Sequence, residues 1–329
     1  MPAVDVGMPA HGRPLFLADA IESVLGQTHG ELRLTVLDDS ADDQIERVVE
    51  RFRHDPRVDY RRSEPLSATG AMTALIQGGD APYFAFLHDD DRWEPGFLAR
   101  RVEFLDRHAE CGLVFSGHVD IDGEGRVVAS APAPYPEGVV PREQIVPDML
   151  RRNVIDTMHS VLVRRSALEA AGPYLDSAFP RVFDWELWLR VVLRHPVGCL
   201  DAEDAQYRAH EAQMSGTAGR AEDFKSIARH GDRLVSELAP ELRLSPKERR
   251  RALSRLELST AVELLAGEDP RGAVAALREG VRAAPGRALL DPRLPAAVAG
   301  LLAGRPGRRA VARLRERHHR AEQRRRAGA

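Results

Sequence analysis

A chain of 329 residues with 43% hydrophobic and 29% charged residues has the composition of an ordinary soluble protein, long enough for one large domain with an appendage or for two modest domains. No apolar run approaches the ~18 residues of a membrane span, and the N-terminus carries no basic-then-apolar secretory signal, so the chain reads as cytosolic. Net charge is −3, but residues 301–329 hold ten Arg against two Glu; such a tail suits a peripheral contact with anionic lipid or a solvated, Arg/Ala-rich end, and no nucleic-acid partner is expected.

Val4 to Met8 reads as a short strand, followed by the loop Pro9-Ala10-His11-Gly12-Arg13 and a helix with Leu17, Ile21, Val24 and Leu25 at helical spacing. Leu32 to Leu37 reads as a second strand and ends in Asp38-Asp39-Ser40, where Ser40 or a neighbouring aspartate can cap the next helix. A weaker strand at residues 58–61 precedes a turn at Glu64-Pro65 and a helix from Ser67 to Gln77 that stops at Gly78-Gly79. Then comes Tyr83-Phe84-Ala85-Phe86-Leu87, apolar without alternation, the pattern of a strand buried on both faces of a parallel sheet.

That strand empties into Asp89-Asp90-Asp91. Three adjacent carboxylates repel one another, and a hard divalent ion such as Mg²⁺ or Mn²⁺, which commonly bridges carboxylate and substrate phosphate, would hold them together. The alternative is a solvated acidic turn, with Asp91 capping a helix that begins near Pro95. Strand and helix alternate up to this point, with aspartates gathered at one edge of the sheet, as in a doubly wound nucleotide-binding fold. No Gly-x-Gly-x-x-Gly turn follows the first strand and no Walker A loop occurs, which argues against a dinucleotide dehydrogenase and a P-loop enzyme.

A core helix follows from Pro95 to His108, then a strand from Gly112 to Val119 and a turn at Asp120 to Gly125 that lacks the ligand spacing of an EF-hand. Cys111 and Cys199 lie in apolar segments and read as buried, reduced thiols. Five prolines in residues 131–147 predict a surface loop. His159 precedes a strand and reads as a hydrogen-bonded structural residue or one that reaches a substrate. Asp184 falls in the first turn of a helix, where the macrodipole favours a carboxylate. Glu186 lies about 200° around that helix from Asp184, so the two do not share a face. Val197 to Leu200 and Gln206 to His210 read as two last strands. Beyond about residue 220 the composition turns to Ala, Leu, Arg and Glu at helical spacing, broken at Gly267 to Pro270 and near Pro285-Gly286, which predicts an antiparallel helical appendage.

Four runs in this order and spacing, Met8 to Arg13, Ala20 to Thr28, Leu37 to Ser40 and Phe86 to Trp93, resemble the inverting family 2 glycosyltransferases of GT-A fold. Met158 to Leu168, Phe183 to Arg190 and Gln206 to Ser215 extend the resemblance, which covers about residues 3–216. It implies a GT-A nucleotide-diphospho-sugar transferase fold, with a doubly wound mixed sheet in a catalytic domain at 1–220 and an α-helical region at 221–329. It also implies metal-dependent transfer of a sugar from a nucleotide-diphosphate sugar, most commonly a UDP-sugar, to a hydroxyl of a glycan, lipid-linked or small-molecule acceptor.

Carried onto this chain, the resemblance sets Pro9, Ala10, His11 and Asp39 against the base and ribose, and Asp89 near the ribose or donor sugar. Asp90 would ligate Mn²⁺ or Mg²⁺ with Asp91 beside it and His210 completing the shell, while Asp184 would be the general base. Three positions depart from the family. His88 stands where relatives carry the first Asp of the motif, which leaves ion preference open; Gly70-Ala71 replace an Arg-Asn pair; and Phe183 replaces the Glu before the base. These departures keep open a catalytically degenerate binder of sugar nucleotide or glycan. A sugar-1-phosphate nucleotidyltransferase is a further alternative, although its Gly-rich basic loop would have to be made from Gly12 and Arg13 alone.

Overall fold

The computed structural model describes residues 4–149, 153–155, 157–172, 183–210, 245–266 and 269–311. Pro173, Tyr174, Glu211 to Ser215, the expected boundary near residue 220 and the basic tail beyond residue 311 lie outside the described residues. The chain divides into two compact units, one formed from residues up to 146 with 154–210, the other from 147–153 with the residues after 210.

The first unit opens with β1 (Val4–Ala10), α1 (Leu17–Leu25), β2 (Leu32–Asp38), α2 (Gln44–Val49), β3 (Val58–Arg62), α3 (Ala68–Gln77) and β4 (Tyr83–Phe86). β1 pairs in parallel with both β2 and β4, and β2 with β3, so the sheet begins in the order β3-β2-β1-β4. Val4, Val6 and Met8 of β1, Leu34 and Val36 of β2 and Leu17, Ile21 and Val24 of α1 belong to one buried core. That burial, at about 25 cal/mol per Å² of apolar surface, is the main force fixing the register. At the amino edge of β1 the buried Asp5 carboxylate is held by Arg165 Nη2 at 2.7 Å and Ala81 N at 2.9 Å. The carboxyl edge is where the remaining aspartates collect.

The chain continues with β5 (Arg92–Trp93), α4 (Phe97–Arg107), β6 (Leu113–Ile121), β7 (Val127–Ala131), β8 (Gly138–Val140), α5 (Arg142–Met149, whose residues from 147 on belong to the second unit), β9 (Val161–Arg164), α6 (Arg165–Ala171), α7 (Phe183–Val192) and β10 (Val197–Arg208). β9 joins β4 antiparallel, and the sheet runs on through β6 and β10 to β5, with β7 on β6 and β8 on β10. The sheet is therefore mixed, as expected.

Three local expectations are corrected. The proline-rich stretch forms β8 and the start of α5, because Val139 and Val140 find ladder partners in Gly198 and Val197 and Ile145 becomes fully buried. The two last strands are one strand, β10, whose register with β6 shifts between Leu200 and Ala205. At α2 the expected aspartate support is present: Asp42 Oδ1 accepts from Gln44 N, the first residue of the helix, at 3.1 Å, while Ser40 Oγ is taken by Gly12 N. Asp91 does not cap α4, whose N-cap is Gly96. Cys111 and Cys199 are buried and free, as read from the sequence.

In the second unit, α8 (Pro246–Ala266) packs against α9 (Pro270–Ala283), with α10 (Pro285–Ala288) and α11 (Arg293–Leu302) following. Leu258, Ala261, Leu264 and Leu265 meet Ala273, Ala276 and Leu277 in a small core. Asp269 caps α9 by accepting from Gly272 N at 2.9 Å, with Pro270 in the first turn. No helix of the described residues is long and apolar enough to cross a membrane.

Candidate active site

Because β1 lies between β2 and β4, the loops after these three strands converge at the point where the strand order reverses, the usual ligand crevice of an open α/β sheet. After β1 the chain turns through Gly12, whose φ of +62° suits glycine, and Gly12 N donates to Ser40 Oγ at 2.8 Å. Asp39 N reaches Ala10 O at 3.3 Å, its carboxylate lies 2.7 Å from His11 Nδ1, and its second oxygen accepts from Leu66 N at 3.0 Å. The His11 ring is exposed, whereas Asp39 is buried beneath it. Asp38 is buried and satisfied by Ser40 N and Tyr60 OH, so it shapes the loop and leaves Asp39 as the carboxylate beside the exposed ring.

The acidic run after β4 separates into two groups. Asp89 and Asp90 face the β1 loop: Arg13 Nη2 donates to Asp89 Oδ1 at 2.7 Å, Arg13 Nη1 lies 3.1 Å from Asp90 Oδ2, and His11 N reaches Asp89 Oδ2 at 3.4 Å. Burial pushes the Asp89 carboxyl up to about 6, against the opposite pull of the Arg13 guanidinium. His210 Nε2 lies 3.0 Å from Asp90 Oδ2. A carboxylate oxygen and an imidazole nitrogen at this spacing form a donor pair that fits Mn²⁺ or a similar divalent ion.

Asp91 turns the other way. Its Oδ1 accepts from Arg208 N at 2.9 Å, while Oδ2 lies 3.1 Å from His159 Nδ1 and 3.4 Å from His88 Nδ1. Burial opposes ionisation of Asp91, but His159 and His88 outweigh it and hold the carboxyl well below the ordinary range. Burial would likewise lower the His88 imidazole, and the Asp91 carboxylate, with Asp90 and Asp89, raises it instead. The His159 ring stacks on Tyr207 with centroids 5.7 Å apart, and its carbonyl accepts from Trp93 Nε1 at 2.6 Å.

Of the residues expected at the site, Pro9, Ala10, His11, Asp39, Asp89, Asp90 and His210 are thus brought to one sheet edge, and Asp91 is beside them with its carboxylate in a separate cluster. Asp184 occupies the first turn of α7, half-buried. Glu186 is buried, with Oε1 accepting from Arg190 Nε at 2.9 Å.

Two arginines were not assigned roles from sequence. Arg13 bridges two site carboxylates. Arg208 is 1% exposed and donates through Nε to Asp90 O at 2.9 Å and through Nη2 to Asp19 Oδ2 at 3.2 Å, with its guanidinium 4.4 Å from the Phe16 ring centre. Both stand inside runs already singled out, next to aspartate-bearing loops, and a cation so close to a carboxylate cluster was the available signal.

The chain has relatives among known proteins. A segment of 133 residues is 31% identical to protein CgeD of Bacillus subtilis, covering 37% of this chain and 31% of the relative. Over 217 residues the chain is 22% identical to the UDP-Glc:alpha-D-GlcNAc-diphosphoundecaprenol beta-1,3-glucosyltransferase WfaP of Escherichia coli, covering 66% of this chain and 79% of WfaP. An uncharacterized glycosyltransferase of Rickettsia felis is 23% identical over 217 residues. The matched segments span only 31% and 35% of the lengths of CgeD and the Rickettsia protein.

Among solved structures, S. aureus TarS 1-349 in complex with UDP superposes with a TM-score of 0.56 at 15% identity, covering 85% of this chain and 89% of that one. The mannosyltransferase PcManGT from Pyrobaculum calidifontis, in complex with GDP-Man and Mn²⁺, gives 0.54 at 17% identity over 94% and 83%. These likenesses establish the GT-A fold. The sequence pattern described as Glycosyl transferase family 2 matches residues 5–171, and the chain belongs to that family.

Proposed function

We propose that this protein is an inverting glycosyltransferase that moves a sugar from a nucleoside-diphosphate sugar to an acceptor hydroxyl, with residues 1–220 as its catalytic domain. The observation that carries the reading is the convergence of His11, Asp39, Asp89 and Asp90 at the switch point between β1 and β4. Asp39 and the exposed His11 ring hold the base and ribose, and Asp89 holds the ribose or donor sugar. Uridine is the preferred base, by likeness to TarS in its UDP complex.

Asp184 takes the proton of the acceptor hydroxyl as its oxygen attacks the anomeric carbon. The bond from that carbon to the β-phosphate oxygen breaks on the opposite face, and the nucleoside diphosphate leaves with the electron pair. One displacement inverts the centre. A Mn²⁺ or Mg²⁺ ion held by Asp90 and His210 would offset the charge developing on the diphosphate. Glu186 is a poorer candidate than Asp184, since it is buried with Oε1 held by Arg190, whereas Asp184 is half-buried.

Incubation with a panel of sugar nucleotides, Mn²⁺ and candidate acceptors tests the proposal through release of nucleoside diphosphate. Release from none of them, with nucleotide still bound, would point to a binding protein. Asp90→Ala is expected to keep the fold while losing activity and Mn²⁺-dependent nucleotide binding. Because a ligand that binds only the native state raises the melting temperature, a thermal-shift series with UDP, with and without Mn²⁺, reads this directly. An unchanged Mn²⁺-dependent shift in the variant would remove Asp90 from the ion.

A further inference from the structure

We propose that His88, Asp91 and His159 form a second metal site, for a late first-row divalent ion of the Zn²⁺ type, distinct from the Asp90–His210 pair. One nitrogen or oxygen from each of the three residues lies within 4.8 Å of the other two. His159 Nδ1 and His88 Nδ1 stand 3.1 and 3.4 Å from Asp91 Oδ2. With bonds near 2.1 Å, a tetrahedral shell has ligand-to-ligand edges of roughly 3.4 Å. The spacing to the carboxylate is therefore that of a nearly assembled site.

The orphaned atom is the second observation. Asp91 is 1% exposed and its Oδ2 has no aligned hydrogen-bond partner, although Oδ1 is satisfied by Arg208 N. Its nearest partners are two imidazoles that face it without aligned hydrogen bonds, and an ion between it and both of them would complete its coordination. The ligands are also held in advance. His159 is fixed by the Trp93 Nε1 bond to its carbonyl and by the stacked Tyr207 ring, so little ordering remains to be done on binding.

Two imidazoles with one carboxylate select against Mg²⁺ and Ca²⁺, which prefer oxygen alone, and favour Zn²⁺, Co²⁺ or Ni²⁺. Three protein ligands leave a fourth position, and the partly exposed His88 side gives solvent access to it. The ion would tie the acidic loop after β4 to the turn before β9, 71 residues apart in sequence between His88 and His159.

The test is metal binding by the full-length chain carrying Asp90→Asn, which disables the diphosphate ion site and leaves the proposed one intact. Metal-free protein titrated with Co²⁺ is expected to bind one equivalent with the intense visible bands of a tetrahedral site, displaced by Zn²⁺ and not by Mg²⁺. Adding His88→Ala, at the most exposed of the three ligands, is expected to weaken Co²⁺ binding by about 100-fold or more with an unchanged circular dichroism spectrum. No binding at millimolar Co²⁺ or Zn²⁺, an octahedral spectrum, or equal affinity with and without His88 would overturn the proposal. The Mn²⁺-dependent nucleotide shift of the wild-type chain tests the diphosphate reading separately, so the two can fail independently.

Discussion

Asp184→Asn is expected to lower kcat by ~10²-fold or more, the usual range for removing a general base, while the dissociation constant of the donor barely changes. The base meets the acceptor proton chiefly in the transition state, whereas the donor is held by Asp39, Asp89 and Asp90 on other loops. A purely structural role for Asp184 predicts a different outcome. In the first turn of α7 its charge would contribute about 0.3–1 kcal/mol through the helix dipole, so the variant would melt slightly earlier and turn over normally. Steady-state kinetics beside equilibrium donor binding separate the two, and a folded variant with near-normal kcat would remove Asp184 as the base.

The second large effect is structural. Arg101, with its side chain fully buried, forms a two-pronged pair with Asp204, Nη2 to Oδ1 at 2.9 Å and Nη1 to Oδ2 at 3.0 Å, and Arg100 Nε adds a bond to Oδ2 at 3.0 Å. Asp204→Ala strands the buried guanidinium and is expected to cost about 3–5 kcal/mol, lowering Tm by roughly 10 °C. Burial pulls Arg101 below its ordinary value in spite of the carboxylate, so pairing does not fully offset desolvation. The double variant Arg101→Met, Asp204→Leu should therefore recover much of the loss.

The pH dependence follows from Asp204. Burial raises its carboxyl, but the arginines outweigh burial and the folded value lies below the ordinary 3.8. The stability it contributes is then complete above the unfolded value and fades as pH falls through the folded one. The Tm gap between wild type and Asp204→Ala should be widest near neutral pH and narrow below about pH 4; a gap independent of pH down to acid unfolding would contradict the charge-pair explanation.

The parts of this molecule legible in sequence are those written locally. β1, β2 and β4 are short apolar runs that end in polar turns, so their existence and the edge carrying His11, Asp39, Asp89 and Asp90 could be read from neighbours alone. β8 could not, because Gly138 to Val140 become a strand through pairing with β10, some 60 residues later. The Arg101–Asp204 pair, 103 residues apart, was hidden for the same reason, since Arg101 reads as the polar side of a helix. Asp90 and Asp91 are adjacent in the chain, yet one faces Arg13 and His210 and the other His88 and His159. Which carboxylate goes where is decided by residues that only the folded sheet brings near.

The slip in β10 bears on how this chain can change length. Between Leu200 and Ala205 the strand advances five residues while β6 advances from Ser116 to His118, and the slack is taken up by Asp201, Ala202 and Glu203, which are not buried. Asp204, clasped by Arg101, then pins the strand again. A residue gained or lost before that pin can be absorbed in the slack. After it, a one-residue shift would exchange the faces of Tyr207 and Arg208, carrying the ring away from His159 and the guanidinium away from the acidic loop. The slack segment is thus the natural place for insertions and deletions, and the five residues from Asp204 to Arg208 have a fixed count.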